Sequence, residues 1–233
     1  MELERRRNGI SGSMIAEVAG LSPFAGSGPH HAWSRIFGLD TDRDGKALRR
    51  GVHMGPALCS WYAEETGMAV THMGRHEKQL VCADHPIVRA TPDGLVRATK
   101  DSKPVKTLEV KSPGLSTMGG WGETGTDEIP EYYLPQPIWE MAAAGVRECD
   151  VVAMIVQRDG GFPIYTVKWD QALFDALLDI AEKFWRDHVV TCKPPPPDGT
   201  EASGELLSRL FPRTTIKDVI EASKVRPVLV DFW

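Results

Sequence analysis

The chain of 233 residues contains no long hydrophobic run. Nothing approaches the ~18 consecutive apolar residues of a membrane-spanning helix, so no span is predicted. Cysteine is sparse: four residues, at 59, 82, 149 and 192, with no CxxC and no paired spacing. That argues against a zinc or disulfide framework and fits a reducing cytoplasm. The opening MELERRRNGI is basic but lacks the apolar core of a secretory leader, so none is expected. A surplus of positive charge is also missing. A net charge of −5 argues against a general nucleic-acid coat protein. It leaves room for a local basic groove, and acidic metal ligands add negative charge without repelling a phosphate once a cation is bound.

What is present suits one globular unit. Hydrophobic residues make up 42% and charged residues 25%, enough for a single α/β or α+β domain with a small appendage. SGSMIAEVA at 11–19 predicts a short helix stopped by Gly20, and HHAWSRIF at 30–37 a second, stopped by Gly38. From 46 to 66, apolar residues at 54, 57, 58, 61 and 62 follow a helical spacing that ends at Gly67, although Gly51 and Gly55-Pro56 weaken the first half. The period then changes. MAVTHM, KQLVCA, PIVRATPDGLV and VKTLEVK are short β-branched pieces between Gly, Pro and polar breaks, which predict strands.

Residues 114–131 are rich in Gly, Thr and acids and predict a loop. A helix over 133–145 opens at Pro135 or Pro137 and closes at Gly145. RDGG between DVVAMIVQ and FPIYTVKW predicts a hairpin. Residues 170–189 have the clearest amphipathic period, with Leu173, Leu177, Ile180, Ala181, Phe184 and Trp185 on one face. The prolines of KPPPPDG at 193–199 then divide a main domain, 1–199, from an extension, 200–233. The expected fold is α/β, a central mixed β-sheet flanked by helices, rather than a regular βαβ array.

Two segments place charge where burial makes it costly: RATPDGLV at 89–96 and LEVKSP at 108–113. On a strand, residues two apart face the same side, so Glu109 and Lys111 point together while Leu108 and Val110 point into the opposite layer. TPDG puts Asp93 at the mouth of a turn, where a hairpin brings it against the strand that carries Glu109. Two converging carboxylates repel unless a cation lies between them, and hard oxygen donors suit Mg²⁺ or Mn²⁺. The carbonyl of Val110 offers a further oxygen, and Lys111 is placed to orient or help deprotonate a water. Attack of water on a phosphodiester is the simplest chemistry for the set. Taken singly, a turn DG and an edge-strand Glu-x-Lys are common structural patterns, so it is the combination that carries weight.

An Asp beside a turn followed by Glu-x-Lys on the next strand resembles the PD-(D/E)XK nucleases, whose core is restriction-endonuclease-like. Further segments resemble one branch, the YqaJ-like viral recombinases, which include the phage lambda exonuclease. They are NGISGSMIAEVAGLSPF, WYAEETG, HPIVRATPDGLV, LEVKSP, IPEYYLPQPIWEMAAAG and FWRDHVVTCKPPPPDG, in order from about residue 8 to 200.

The resemblance implies that Asp93, Glu109 and the Val110 carbonyl hold two Mg²⁺ or Mn²⁺ ions, with Lys111 and Gln136 completing a catalytic set. It implies that Arg6, Ser13 and Thr91 hold the 5′-phosphate of DNA. It further implies a 5′→3′ exonuclease on double-stranded DNA ends, a trimeric ring, a single-strand annealing protein as partner, and the cytoplasm of a bacterium or a phage-infected cell. DNA contacts are expected from Arg5, Arg6, Arg7, Lys46, Arg49 and Arg50.

Two positions depart from the branch. Gly55 stands where a glutamate is usual, and Met14 where aspartate is common; Glu64 and Glu65 lie more than two helical turns from position 55. The alternatives are a structure-specific endonuclease and a weakly active or silent DNA-binding assembly subunit.

Overall fold

The computed structural model describes residues 8–24, 26–39, 45–74, 79–114, 117–157 and 160–196. The expected extension at 200–233, the end of the proline break at 197–199, and Arg5, Arg6 and Arg7 lie outside these residues.

The chain opens with a two-residue strand β1 (Ile10–Ser11) and the helices α1 (Gly12–Val18) and α2 (Pro29–Phe37). Helix α3 (Lys46–Thr66) then runs unbroken through Gly51, Gly55 and Pro56. Interior Gly and Pro each disfavour a helix, by about 1 and 3 kcal/mol. Burial of Leu58, Cys59 and Tyr62 against the sheet offsets that. The strands β2 (Ala69–His72), β3 (Leu80–Val81), β4 (Val88–Ala90), β5 (Gly94–Arg97) and β6 (Pro104–Lys111) follow. After a long loop and a 3₁₀ turn at Glu131–Tyr133 come α4 (Pro135–Ala144), β7 (Glu148–Ala153), β8 (Ile164–Lys168) and α5 (Gln171–Phe184). Asp170 caps α5 by accepting the Leu173 N–H at 2.9 Å.

The strands form two sheets. The larger has the order β2-β5-β6-β7-β8, antiparallel except for the β6–β7 pair, which α4 connects as a crossover. The smaller has the order β1-β4-β3, with β1 parallel to β4. PIVRATPDGLV is therefore not one strand or a hairpin: β4 and β5 belong to different sheets. The β5–β6 hairpin, not a turn at TPDG, lays the start of β5 against β6. Gly94 sits between β2 and β6, where a Cβ would stand 2.9 Å from Val70 Cγ1 of β2 and 3.4 Å from Leu108 Cβ of β6.

Helix α3 covers one face of the larger sheet, packing on Val96, Leu108 and Val152. The other face meets α4, α1 and α5 through Val151, Tyr165, Trp139, Ile138 and Met14. The buried stripe of α5 is Phe174, Leu177, Leu178, Ala181 and Phe184. It is turned from the expected stripe, leaving Ile180 at 40% exposure. The α4 segment ends at an αL glycine, Gly145, as expected.

Candidate active site

Strand alternation sends Leu108 into the α3 layer and Glu109 toward α4, as the sequence implied. Glu109 is buried, and the Lys111 Nζ donates to its Oε1 at 2.7 Å. Helix α4 lies over this pair. Gln136, in the first turn of α4, uses its whole amide: its Oε1 accepts from Lys111 Nζ at 2.7 Å, and its Nε2 donates to Glu109 Oε1 at 2.7 Å and to Glu140 Oε1 at 2.8 Å. Glu140 sits one turn further along α4, 1% exposed. Tyr133 adds its ring face 4.9 Å from Lys111 Nζ.

Asp93 precedes β5 and reaches across the strand edge: its Oδ2 accepts the Val110 N–H at 2.8 Å. The N–H and C=O of one strand residue leave on the same edge, so the Val110 carbonyl faces the Asp93 side as well. Below them, Cys59 of α3 points its Sγ toward the Asp93 carbonyl, 3.8 Å away.

The electrostatics show an acid surplus. Burial first, then the charge of Glu109, pushes the Asp93 pKa up to about 7, against the pull of the Val110 N–H and Lys111. Burial, followed by Glu109, raises the Glu140 carboxyl well above the usual range. Burial opposes the charge of Lys111, but Glu109, Glu140 and Asp93 outweigh it and raise its pKa, so the amine is a firmly held ammonium. Cys59 is pushed up to about 12 by burial and then by Asp93 and Glu109, which keeps it a neutral thiol.

A divalent cation answers this arrangement. The charge of Glu109 raises the energy of the ionised Asp93 carboxyl, and the oxygens of both with the Val110 carbonyl form a hard donor set. Among the described residues no three His, Cys, Asp or Glu side chains are grouped to hold a metal. Two carboxyls and one carbonyl are a ligand set for an ion that keeps several waters, as Mg²⁺ does.

Asp93, Glu109, Val110, Lys111 and Gln136 come together as the sequence implied. Of the expected phosphate ligands, Ser13 is exposed, with its hydroxyl 3.2 Å from that of Ser11, and Thr91 is half-buried. Both lie just beyond the β1–β4 pairing. Arg6 falls outside the described residues. Lys46, Arg49 and Arg50 line the exposed start of α3, where Arg50 Nη2 donates to the Ser112 carbonyl at 2.6 Å, just beyond β6.

Gly55 is buried one turn before Cys59, and a Cβ there would meet nothing within 4 Å. Glu64 and Glu65 are exposed at the far end of α3. Met14 is core, 1% exposed.

Sequence reasoning missed Glu140. Its signal is the four-residue spacing from Gln136 within an otherwise apolar stretch, Ile138-Trp139-Glu140-Met141. Gly12 was missed as well. A Cβ on it would stand 3.0 Å from Glu140 Cγ and Oε1, so the start of α1 rests directly on this cluster.

A family model, the YqaJ-like viral recombinase domain, matches residues 3–147. The uncharacterized protein YqaJ of Bacillus subtilis (strain 168) is 23% identical over 227 residues, covering 94% of this chain and 65% of that protein's length. The chain thus spans less than two thirds of that relative. Two crystal structures of LHK-Exo, an alkaline exonuclease from Laribacter hongkongensis, share the fold. The one in complex with dAMP aligns with TM-score 0.63 at 19% identity, covering 90% of this chain and 95% of that one. The other aligns with TM-score 0.60 at 21% identity, covering 81% and 92%. A phage related exonuclease from Haemophilus somnus 129PT aligns with TM-score 0.53 at 10% identity, covering 79% and 96%.

Proposed function

The chain belongs to the YqaJ-like viral recombinase domain family, and we propose that it is a metal-dependent deoxyribonuclease that degrades double-stranded DNA ends in the 5′→3′ direction during phage-type recombination. The observation that carries this reading is the convergence of the half-buried Asp93 carboxyl and the buried Glu109 carboxyl beside the ammonium of Lys111. A surplus of buried acid without matching cations is costly unless an ion is taken up. The solved relatives named as exonucleases support the choice of substrate.

Asp93, Glu109 and the Val110 carbonyl would hold Mg²⁺ or Mn²⁺. The bound ion supplies Lewis acidity toward a phosphoryl oxygen and acidifies a water. Two ions are the family expectation; the acids of this chain suffice for one, and a second would lean on DNA phosphate and water. Lys111, held as an ammonium by Glu109, orients the attacking water and faces the charge that develops on the phosphate. Gln136 fixes the direction of that ammonium. Ser13 and Thr91, with Arg6, would receive the 5′-phosphate. Arg49 and Arg50 would meet the duplex backbone, giving salt-sensitive affinity. A ring of three copies and a single-strand annealing partner complete the proposal.

Linear and closed-circular duplexes incubated with Mg²⁺ test it. Loss of the linear DNA alone is expected. Cutting of the circle would make the protein an endonuclease, and full cleavage in excess chelator would remove the metal. A second reading, a weakly active or silent DNA-binding subunit, is favoured by one observation: the open space at Gly55 where a third acid would stand. DNA binding without Mg²⁺-dependent loss of either substrate would select it.

A further inference from the structure

Glu140 has no place in the ion-binding set, yet it is the most deeply hidden acid of the cluster. It is not a ligand in waiting. The amide nitrogen of Gln136 stands between its Oε1 and the Oε1 of Glu109, donating to both, at 2.8 and 2.7 Å. A cation cannot share that position with an N–H donor. The second oxygen of Glu140 is buried and has no hydrogen-bond partner among the described residues. An acid that gains so little for its own burial is expected to serve its neighbour.

We propose that Glu140 is a positioning residue for the catalytic set, locking the Gln136 amide so that Lys111 and Glu109 keep one relative geometry. Gln136 can make three hydrogen bonds here, and all three are made: the carbonyl takes the ammonium of Lys111, one N–H covers Glu109 Oε1, and the other goes to Glu140. Glu109 Oε1 is thereby occupied twice, by Lys111 and by Gln136, which leaves Oε2 as the oxygen that can face the cation. Without the Glu140 acceptor, a buried N–H of Gln136 is orphaned. The amide then turns to recover a partner, Lys111 loses its second anchor, and its ammonium slides along the Glu109 carboxylate into the face meant for the ion. The raised pKa of Glu140 is consistent with this role, because a neutral carboxyl still offers a carbonyl oxygen to Gln136 without adding a further charge.

The inference rests on the nuclease reading for its activity readout and on the hydrogen-bond geometry alone for its second readout. Single-turnover cleavage of a linear duplex, started with Mg²⁺, is compared for wild type, E140L, E140Q, Q136A and Q136A/E140L. DNA affinity is measured separately in Ca²⁺. The removal of such a supporting partner costs about 10- to 100-fold. E140L is expected to lower the cleavage rate by that factor at unchanged DNA affinity. E140Q, which keeps the carbonyl acceptor, should recover most of the loss. E140L should add nothing once Gln136 is gone. Equal losses from E140L in both backgrounds would overturn the proposal, as would E140Q behaving like E140L.

Should E140L not fold, judged by its melting transition, E140M takes its place. Should the wild type cleave no DNA at all, the nuclease reading fails by itself. The side-chain amide protons of Gln136, followed by NMR, then decide: slow solvent exchange in the wild type and fast exchange in E140L support the lock, and fast exchange in both refutes it.

Discussion

Strand β6 carries a lysine near each end, and the two sit in clusters of opposite character. At the α3 face, Lys106 Nζ lies 3.2 Å from Asp150 Oδ2 and 3.0 Å from Glu148. Asp150 also accepts from the Tyr62 hydroxyl at 2.6 Å and from Thr166 Oγ1 at 2.7 Å. Its buried carboxylate is thus surrounded by donors. Burial works against Lys106, but Glu148 and Asp150 outweigh it and raise its pKa. At the α4 face, Lys111 meets Glu109 while Asp93 and Glu140 press in with no cation of their own. The first cluster is complete and joins α3 to the sheet. Among the described residues the second is short of positive charge, and that shortage is what marks it as the candidate site.

The sharpest way to break this contrast is to neutralise each lysine in turn. Lys111→Met should lower single-turnover cleavage by on the order of 10²–10³-fold, because a fixed charge facing the transition state is lost. Its melting temperature should move less, since the neighbouring carboxyls can take up protons instead. Lys106→Met should do the reverse. It leaves Asp150 with hydroxyl donors only and should cost about 2 kcal/mol in denaturant unfolding, at near-normal cleavage. Equal effects of both on rate and on stability would erase the distinction.

Asp93→Asn sharpens the electrostatic half. The folded chain holds the Asp93 proton up to about pH 7, whereas an unfolded Asp releases it near its ordinary value of 3.8. The group therefore stabilises the fold fully below about pH 4, and that contribution is lost as pH rises through about 7. Without divalent ions, the wild type should lose on the order of 2–4 kcal/mol between pH 4 and 8 from this group alone. Asparagine still accepts the Val110 N–H and should flatten that slope. Added Mn²⁺ should stabilise the wild type more at pH 8 than at pH 5, and Asp93→Asn at neither. A variant that keeps normal Mn²⁺ stabilisation would remove Asp93 from the ion set.

Gly55→Glu probes the missing acid. The position is buried and helical, and a Cβ there meets nothing within 4 Å. The change should tighten Mn²⁺ binding by on the order of tenfold, read by calorimetry, because ligand charge count sets such affinities. Unchanged affinity would mean that position 55 does not face the ion.

How far the sequence foretold the two clusters follows from their local signals. Glu109 and Lys111 were legible because a period of two leaves no choice of face once Leu108 and Val110 are apolar. Helix ends were legible at Gly38, Gly67 and Gly145, where the chain turns to positive φ. The split of PIVRATPDGLV over two sheets was not. Its three-residue β4 pairs with β1, almost eighty positions earlier, and no local pattern encodes such a partner. The stripe of α5 was misplaced because Leu173 and Ile180 fit a helical period as well as Phe174 and Leu178 do; only the shape of the partner surface separates them. Glu140 was missed, despite its spacing from Gln136, because one acid in an apolar helix reads as a solvent-facing position until its environment is known. The residues of the Lys106 cluster, from α3, β6, β7 and β8, gave no warning for the same reason.

The smallest expected effect separates the clusters by a methyl group. Gly12→Ala would bring a Cβ to 3.0 Å from Glu140 Cγ and Oε1, and to 3.5 Å from Gln136 Cγ. Glu140 is fully enclosed and cannot swing away, so it must shift by a few tenths of an ångström and carry Gln136 with it. Overpacking of this kind typically costs 1–3 kcal/mol. Replacing a helical glycine, however, returns about 0.4–1 kcal/mol through the unfolded chain. Net stability should fall by about 1 kcal/mol, while cleavage drops a few-fold through the displaced amide. Gly94→Ala is the matched control. Its Cβ would meet Val70 Cγ1 at 2.9 Å, between β5 and β2 rather than against Glu140. It should lower stability at least as much, yet leave the ratio of cleavage rates in wild type and E140L untouched. If Gly12→Ala instead behaves like Gly94→Ala, moving the melting temperature but not the dependence on Glu140, then the start of α1 is mere packing and the charge-starved cluster ends at α4.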